Sequence, residues 1–143
     1  MAVTIVTVKL TVNPATATCP DGKLECTVTT SYKSGAEDNM FQVTIWEVKE
    51  EWFVTNKILW TSGQRTVPAN TNNGEHVEKV TATCVQPAQS CLIQFPAAGG
   101  LPAKTTEKNP TKIFAVSQPW EALGQRESER VTIQCTHEDS ERR

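Results

Sequence analysis

The sequence predicts an all-β chain folded as a two-sheet antiparallel β-sandwich with long loops. Three observations carry that expectation: short segments in which apolar and polar residues alternate, turn residues between them, and two matching cysteine-bearing segments near opposite ends. In Leu24-Glu25-Cys26-Thr27-Val28, period-two alternation puts Leu24, Cys26 and Val28 on one face and Glu25 and Thr27 on the other. Val131-Thr132-Ile133-Gln134-Cys135-Thr136 repeats the pattern. Two inward cysteines on strands of opposite sheets predict a Cys26–Cys135 bridge, which would restrain the unfolded chain by roughly 4–5 kcal/mol.

In chain order, Val3 to Val12 reads as a strand whose apolar parity changes after Ile5, so a bulge or a switch between sheets is expected near residues 5 and 6. Asn13-Pro14 ends it. Cys19-Pro20-Asp21-Gly22 is a turn into the Cys26 strand, and Ser34 to Asn39 is a polar loop. Phe41 to Val48 is a strand with apolar residues on both parities, hence partly covered on both faces. Trp52 to Trp60 reads as a tight hairpin or one kinked strand. Ser62 to Glu75 is polar and ends in Asn73-Gly74, a tight-turn dipeptide.

Val77 to Val85 and Cys91 to Phe95 flank Gln86-Pro87-Ala88-Gln89-Ser90, a hairpin that would bring Cys84 near Cys91 as a second disulfide. Pro96 to Pro110 reads as a long surface connection. Lys112 to Ser117 is a strand stopped by Pro119-Trp120, and Glu121 to Arg130 is a charged loop or short helix before the Cys135 strand. One domain, 1–137, is expected, with 138–143 a charged tail.

Composition narrows the function classes. A net charge of −2 with scattered Lys and Arg disfavours nucleic acid. No apolar run approaches the length of about 20 residues that spans a bilayer, so membrane insertion is not expected. The threonine-broken N-terminus does not read as a signal peptide: either a leader has been removed from a secreted chain, or the protein is intracellular. Five cysteines without paired zinc-ligand spacing favour a secreted, oxidising setting. Two bridges among five cysteines can be drawn in fifteen ways, and one thiol is left over, with Cys19 the candidate for a bond to another chain or a larger parent protein.

The strings Val8-Lys9-Leu10-Thr11-Val12-Asn13-Pro14 and Asp21-Gly22-Lys23-Leu24-Glu25-Cys26-Thr27-Val28 resemble the first two strands of an immunoglobulin-superfamily domain. The closest likeness is to the divergent N-terminal immunoglobulin-like domains of mollusc fibrinogen-related immune lectins. The resemblance implies that Trp46 packs against the bridge, that Val131 to Cys135 bears the second cysteine, and that the function is recognition, in innate immunity in those lectins. A register pairing Cys26 with Cys84 stays open beside it.

Catalytic chemistry has little to build on. His76 and His137 lie in polar surroundings without grouped ligands, so neither a metal nor a histidine base is expected. Glu47, Glu50 and Glu51 are acids of the kind glycoside hydrolysis uses, but they read better as a solvated strand end. No cofactor is expected, and no enzyme. Trp46, Trp52 and Trp60 share parity and suggest an aromatic stripe, with core packing the plainer reading. Were Trp52 or Trp60 solvent-facing, either would anchor a protein or glycan partner together with Arg65, Asn72, Asn73 and Lys104 on the two long loops. The expected function is an extracellular recognition or adhesion module. Its rivals are a secreted β-barrel carrier of a small apolar ligand and a structural or assembly subunit.

Overall fold

A computed structural model describes residues 3–52 and 55–137; the charged tail 138–143 lies outside the described residues. Among those residues are twelve strands and no helix. One sheet has the order β1 (Thr4–Val12), β3 (Lys23–Lys33), β7 (Gly74–Val85), β8 (Leu92–Phe95) and β9 (Lys104–Thr105). The other has the order β2 (Thr16–Cys19), β12 (Val131–His137), β10 (Thr111–Pro119), β4 (Met40–Glu47) and β5 (Lys57–Thr61). Two short strands flank it, β11 (Arg126–Glu127) beside β10 and β6 (Arg65–Thr66) beside β4. Every pairing is antiparallel except β2 with β12, which is parallel.

Alternation explains which residues meet between the sheets. From β3, Leu24, Cys26, Val28, Thr30 and Tyr32 are buried, and from β7, Val80, Ala82 and Cys84. Phe41, Val43 and Ile45 on β4 and Ile113, Ala115 and Ser117 on β10 are buried too. Within this interior Thr30 Oγ1 meets Ser117 Oγ at 2.7 Å, so each buried hydroxyl satisfies the other. The parity change in β1 is a register shift between Ile5 and Thr7, as the sequence predicts; it buries Ile5 and Leu10 and leaves Val6 outside.

The disulfide is Cys84–Cys135, with Cα atoms 5.7 Å apart, and this corrects both expected pairings. Cys26 is a free buried thiol whose ladder neighbours are Val12 and Val80 in the middle of its sheet. Parity establishes that Cys26 and Cys135 both point inward, but not that they lie opposite. Cys84 lies further along β7, where β12 packs. It does not reach Cys91 because the β7–β8 register sets Cys84 against Ile93 and places Cys91 before the ladder begins.

Asn73-Gly74 differs from the expected tight turn. Gly74 begins β7 opposite Tyr32, and a Cβ there would come within 2.3 Å of the Tyr32 ring, so the glycine serves close packing. Of the Trp52-to-Trp60 segment, read as a tight hairpin or one kinked strand, residues 57–60 lie in the single strand β5, which has a register shift against β4 between Ile45 and Trp46, and residues 53 and 54 lie outside the described residues. Residues 121–130 hold β11 and no helix.

The connection after β9 is anchored by a buried acid. Glu47 is fully buried at the end of β4, and its carboxylate accepts from the backbone N–H of Glu107 at 2.9 Å, that of Lys108 at 3.2 Å and the Thr111 hydroxyl at 2.7 Å. Three donors replace the water that a buried carboxylate gives up. Glu47 therefore positions a loop and is not a solvated strand end.

Candidate functional site

The outer face of β4 and β10 is the floor of a groove of about 730 Å³, with Thr44, Phe114 and Val116 buried and Gln42, Trp46 and Gln118 half-buried. The antiparallel register sets the floor side chains opposite one another: Gln42 faces Gln118, Thr44 faces Val116, and Trp46 faces Phe114. Ile58 on β5 extends the Trp46 row, and Glu127 on β11 extends the Val116 row. The result is an apolar band, Phe114–Trp46–Ile58, beside a band of hydroxyl and amide groups. Trp120, Gln125 and Asn56 complete the walls.

Several contacts hold these groups in place. The Trp46 indole N–H donates to Thr44 Oγ1 at 2.9 Å, which orients the ring along its own strand. The Arg130 guanidinium lies 4.4 Å from the Phe114 ring centroid, so Phe114 is capped and buried, while Trp46 and Trp120 remain half-buried. At the rim, Gly99 adopts a positive φ of 57° against β5, where an added Cβ would come within 2.7 Å of the Gly63 nitrogen and 2.8 Å of the Thr61 carbonyl. A side chain there would push the 98–101 turn off the groove wall.

Trp46, expected against the disulfide, is instead on the outer face of its sheet. Its inward neighbour Ile45 occupies the core. Trp60 is inside, opposite Ile45 and only 5 % exposed, whereas Trp52 lies beyond β4 and is 93 % exposed. The three tryptophans therefore form no stripe: the β4–β5 register shift sets Trp46 and Trp60 on opposite faces, and Trp52 lies outside both strands.

The loop candidates are dispersed. Arg65 is committed to Glu78, its Nε donating to a carboxylate oxygen at 2.7 Å, and the same carboxylate meets His76. Asn72 and Asn73 border a separate shallow depression with Val6, Tyr32 and Lys33. Lys104 is half-buried on β9. Cys19 is only 1 % exposed. None of these residues lines the groove.

Sequence reasoning missed the groove residues Gln42, Phe114, Gln118 and Trp120. The signal available was apolar content on both parities of Phe41 to Val48, which implies an outer face that is itself partly covered. Comparison of the chain with models of protein families, with curated proteins and with solved structures finds no match in any of the three.

Proposed function

We propose that this protein is a non-catalytic recognition module, an immunoglobulin-like sandwich that binds a neutral oligosaccharide in the groove on the outer face of β4, β5 and β10. The groove's composition carries the reading. Two half-buried indoles offer flat apolar faces for the C–H side of a sugar ring. The amides of Gln42, Gln118, Gln125 and Asn56 supply paired donors and acceptors for its hydroxyls. Glu127 is the one charged side chain among the lining residues, which favours an uncharged ligand. The volume falls within the roughly 300–1,000 Å³ of small-ligand sites, whereas a protein partner generally needs a broad, flatter surface.

The immunoglobulin-like part rests on strand order. β1, β3 and β7 follow one another as strands A, B and E do in that family, and β12, β10, β4 and β5 follow as G, F, C and C′. β8 stands where strand D would, although it comes after β7 in the chain, and the bridge joins β7 to β12 instead of B to F. That bridge supports a secreted setting. Large side chains, including Phe41, Phe95, Ile45 and Ile113, pack between the sheets, which favours a ligand on the outside over an internal apolar cargo.

An array of neutral oligosaccharides probed with the native protein and with Trp46→Ala tests the reading. At least one neutral glycan is expected to bind, with Trp46→Ala weakening it tenfold or more, about 1.4 kcal/mol. Binding only to acidic glycans or to proteins, or binding indifferent to Trp46, contradicts it.

A further inference from the structure

We propose that Cys19 and Cys91 form a second disulfide, which pins the N-terminal edge strand β2 to the start of β8 and leaves Cys26 as the protein's only free thiol. The inference is independent of the groove. Both residues are buried, at 1 % and 3 % exposure, at the same end of the sandwich as the Cys84–Cys135 bridge. The Cys19 thiol donates to the Val85 carbonyl at 3.3 Å, and Val85 pairs with Leu92, the residue after Cys91.

The surrounding backbone holds this arrangement from both sides. The turn after Cys19 is tied to β7 by Asp21 N–H to Cys84 O and Cys84 N–H to Gly22 O, each 2.8 Å. On the other side the Asn109 amide donates to Cys91 O at 2.8 Å and to Cys135 O at 2.7 Å, and its oxygen accepts from Cys135 N–H at 2.9 Å. Two buried cysteines, held at one end of the sandwich by separate backbone networks, one bonded to Val85 and the other next to its ladder partner Leu92, are placed to form a bond of about 2.05 Å. A sulfur–sulfur bond also removes two weak donors from a dry site.

The chemistry is thiol–disulfide exchange with a low-molecular-weight disulfide such as oxidised glutathione. A Cys19 thiolate, its proton lost to solvent, attacks one glutathione sulfur, and the other glutathione leaves as a thiolate. The Cys91 thiolate then attacks the Cys19 sulfur of the mixed disulfide and releases the second glutathione. Two protein thiols are oxidised and one glutathione disulfide is reduced to two thiols. In the folded chain, burial followed by the neighbouring Cys91 pushes the Cys19 thiol up to about 12, so exchange belongs to the folding chain, before β2 docks.

The test refolds the full reduced chain in a glutathione redox buffer, denatures it, blocks free thiols with iodoacetamide and maps tryptic peptides without reduction. The expected product joins peptides 10–23, 80–104 and 131–142 with a mass four hydrogens below their sum, and peptide 24–33, holding Cys26, carries the only alkylation. Cleavage between residues 85 and 90 should leave 10–23 on the Cys91 half and 131–142 on the Cys84 half. Alkylated Cys19 and Cys91 beside an intact Cys84–Cys135 bridge, or 10–23 attached to the Cys84 half, would overturn the proposal.

Discussion

Glu78 shows how one residue's surroundings set a pH dependence. Burial alone would raise its carboxyl, but hydrogen bonds and charge from Arg65 and His76 outweigh that and hold it below the ordinary 4.5. The native state therefore binds this proton less tightly than the unfolded chain. Its stabilisation is fully present above about pH 4.5 and fades as the pH falls through the lowered value. Urea unfolding of the native protein and Glu78→Gln should show the largest difference near neutrality and a shrinking one in acid; a constant difference would mean that the carboxylate's charge plays no part. Cys26 is the opposite case, since burial first and Glu25 second push its thiol up to about 12. It should resist alkylation until the sandwich opens.

At the scale of elements, the Cys84–Cys135 bridge joins the two sheets and closes a loop of sequence separation 51. The entropic model assigns such a loop about 4 kcal/mol. Replacing both cysteines by alanine should lower the free energy of urea unfolding by about that amount, and a loss below 1 kcal/mol would show that strand packing already restrains β12. The long strands are legible in the sequence because one wet and one dry face impose alternation, as in Leu24 to Tyr32. β2, β6, β9 and β11 are not legible, since two to four residues are too few to display a period. The disulfide partner escapes for a different reason. Parity gives the face of Cys26, Cys84 and Cys135, while their distances depend on how one sheet is laid over the other.

The same limit governs the whole molecule. Nothing local to Trp46 announces Phe114, which pairs with it across the β4–β10 ladder from 68 positions away. Only the assembled sheet lines up Gln42 with Gln118 and Trp46 with Phe114, so the groove belongs to the fold and not to any motif. In the proposed reading, the disulfide-tied sandwich holds that face before a ligand arrives, which would reduce the ordering cost of binding. The four tryptophans make this testable in one spectrum, because their indole N–H signals report separately on Trp46 and Trp120 in the groove and on Trp60 in the core. In a nuclear magnetic resonance titration of the ¹⁵N-labelled chain with neutral oligosaccharides, the Trp46 and Trp120 signals should shift together and saturably while Trp60 stays fixed. Oligosaccharide binding that leaves both groove signals unmoved, or a full series that shifts neither, would contradict the assignment of this face as the binding site.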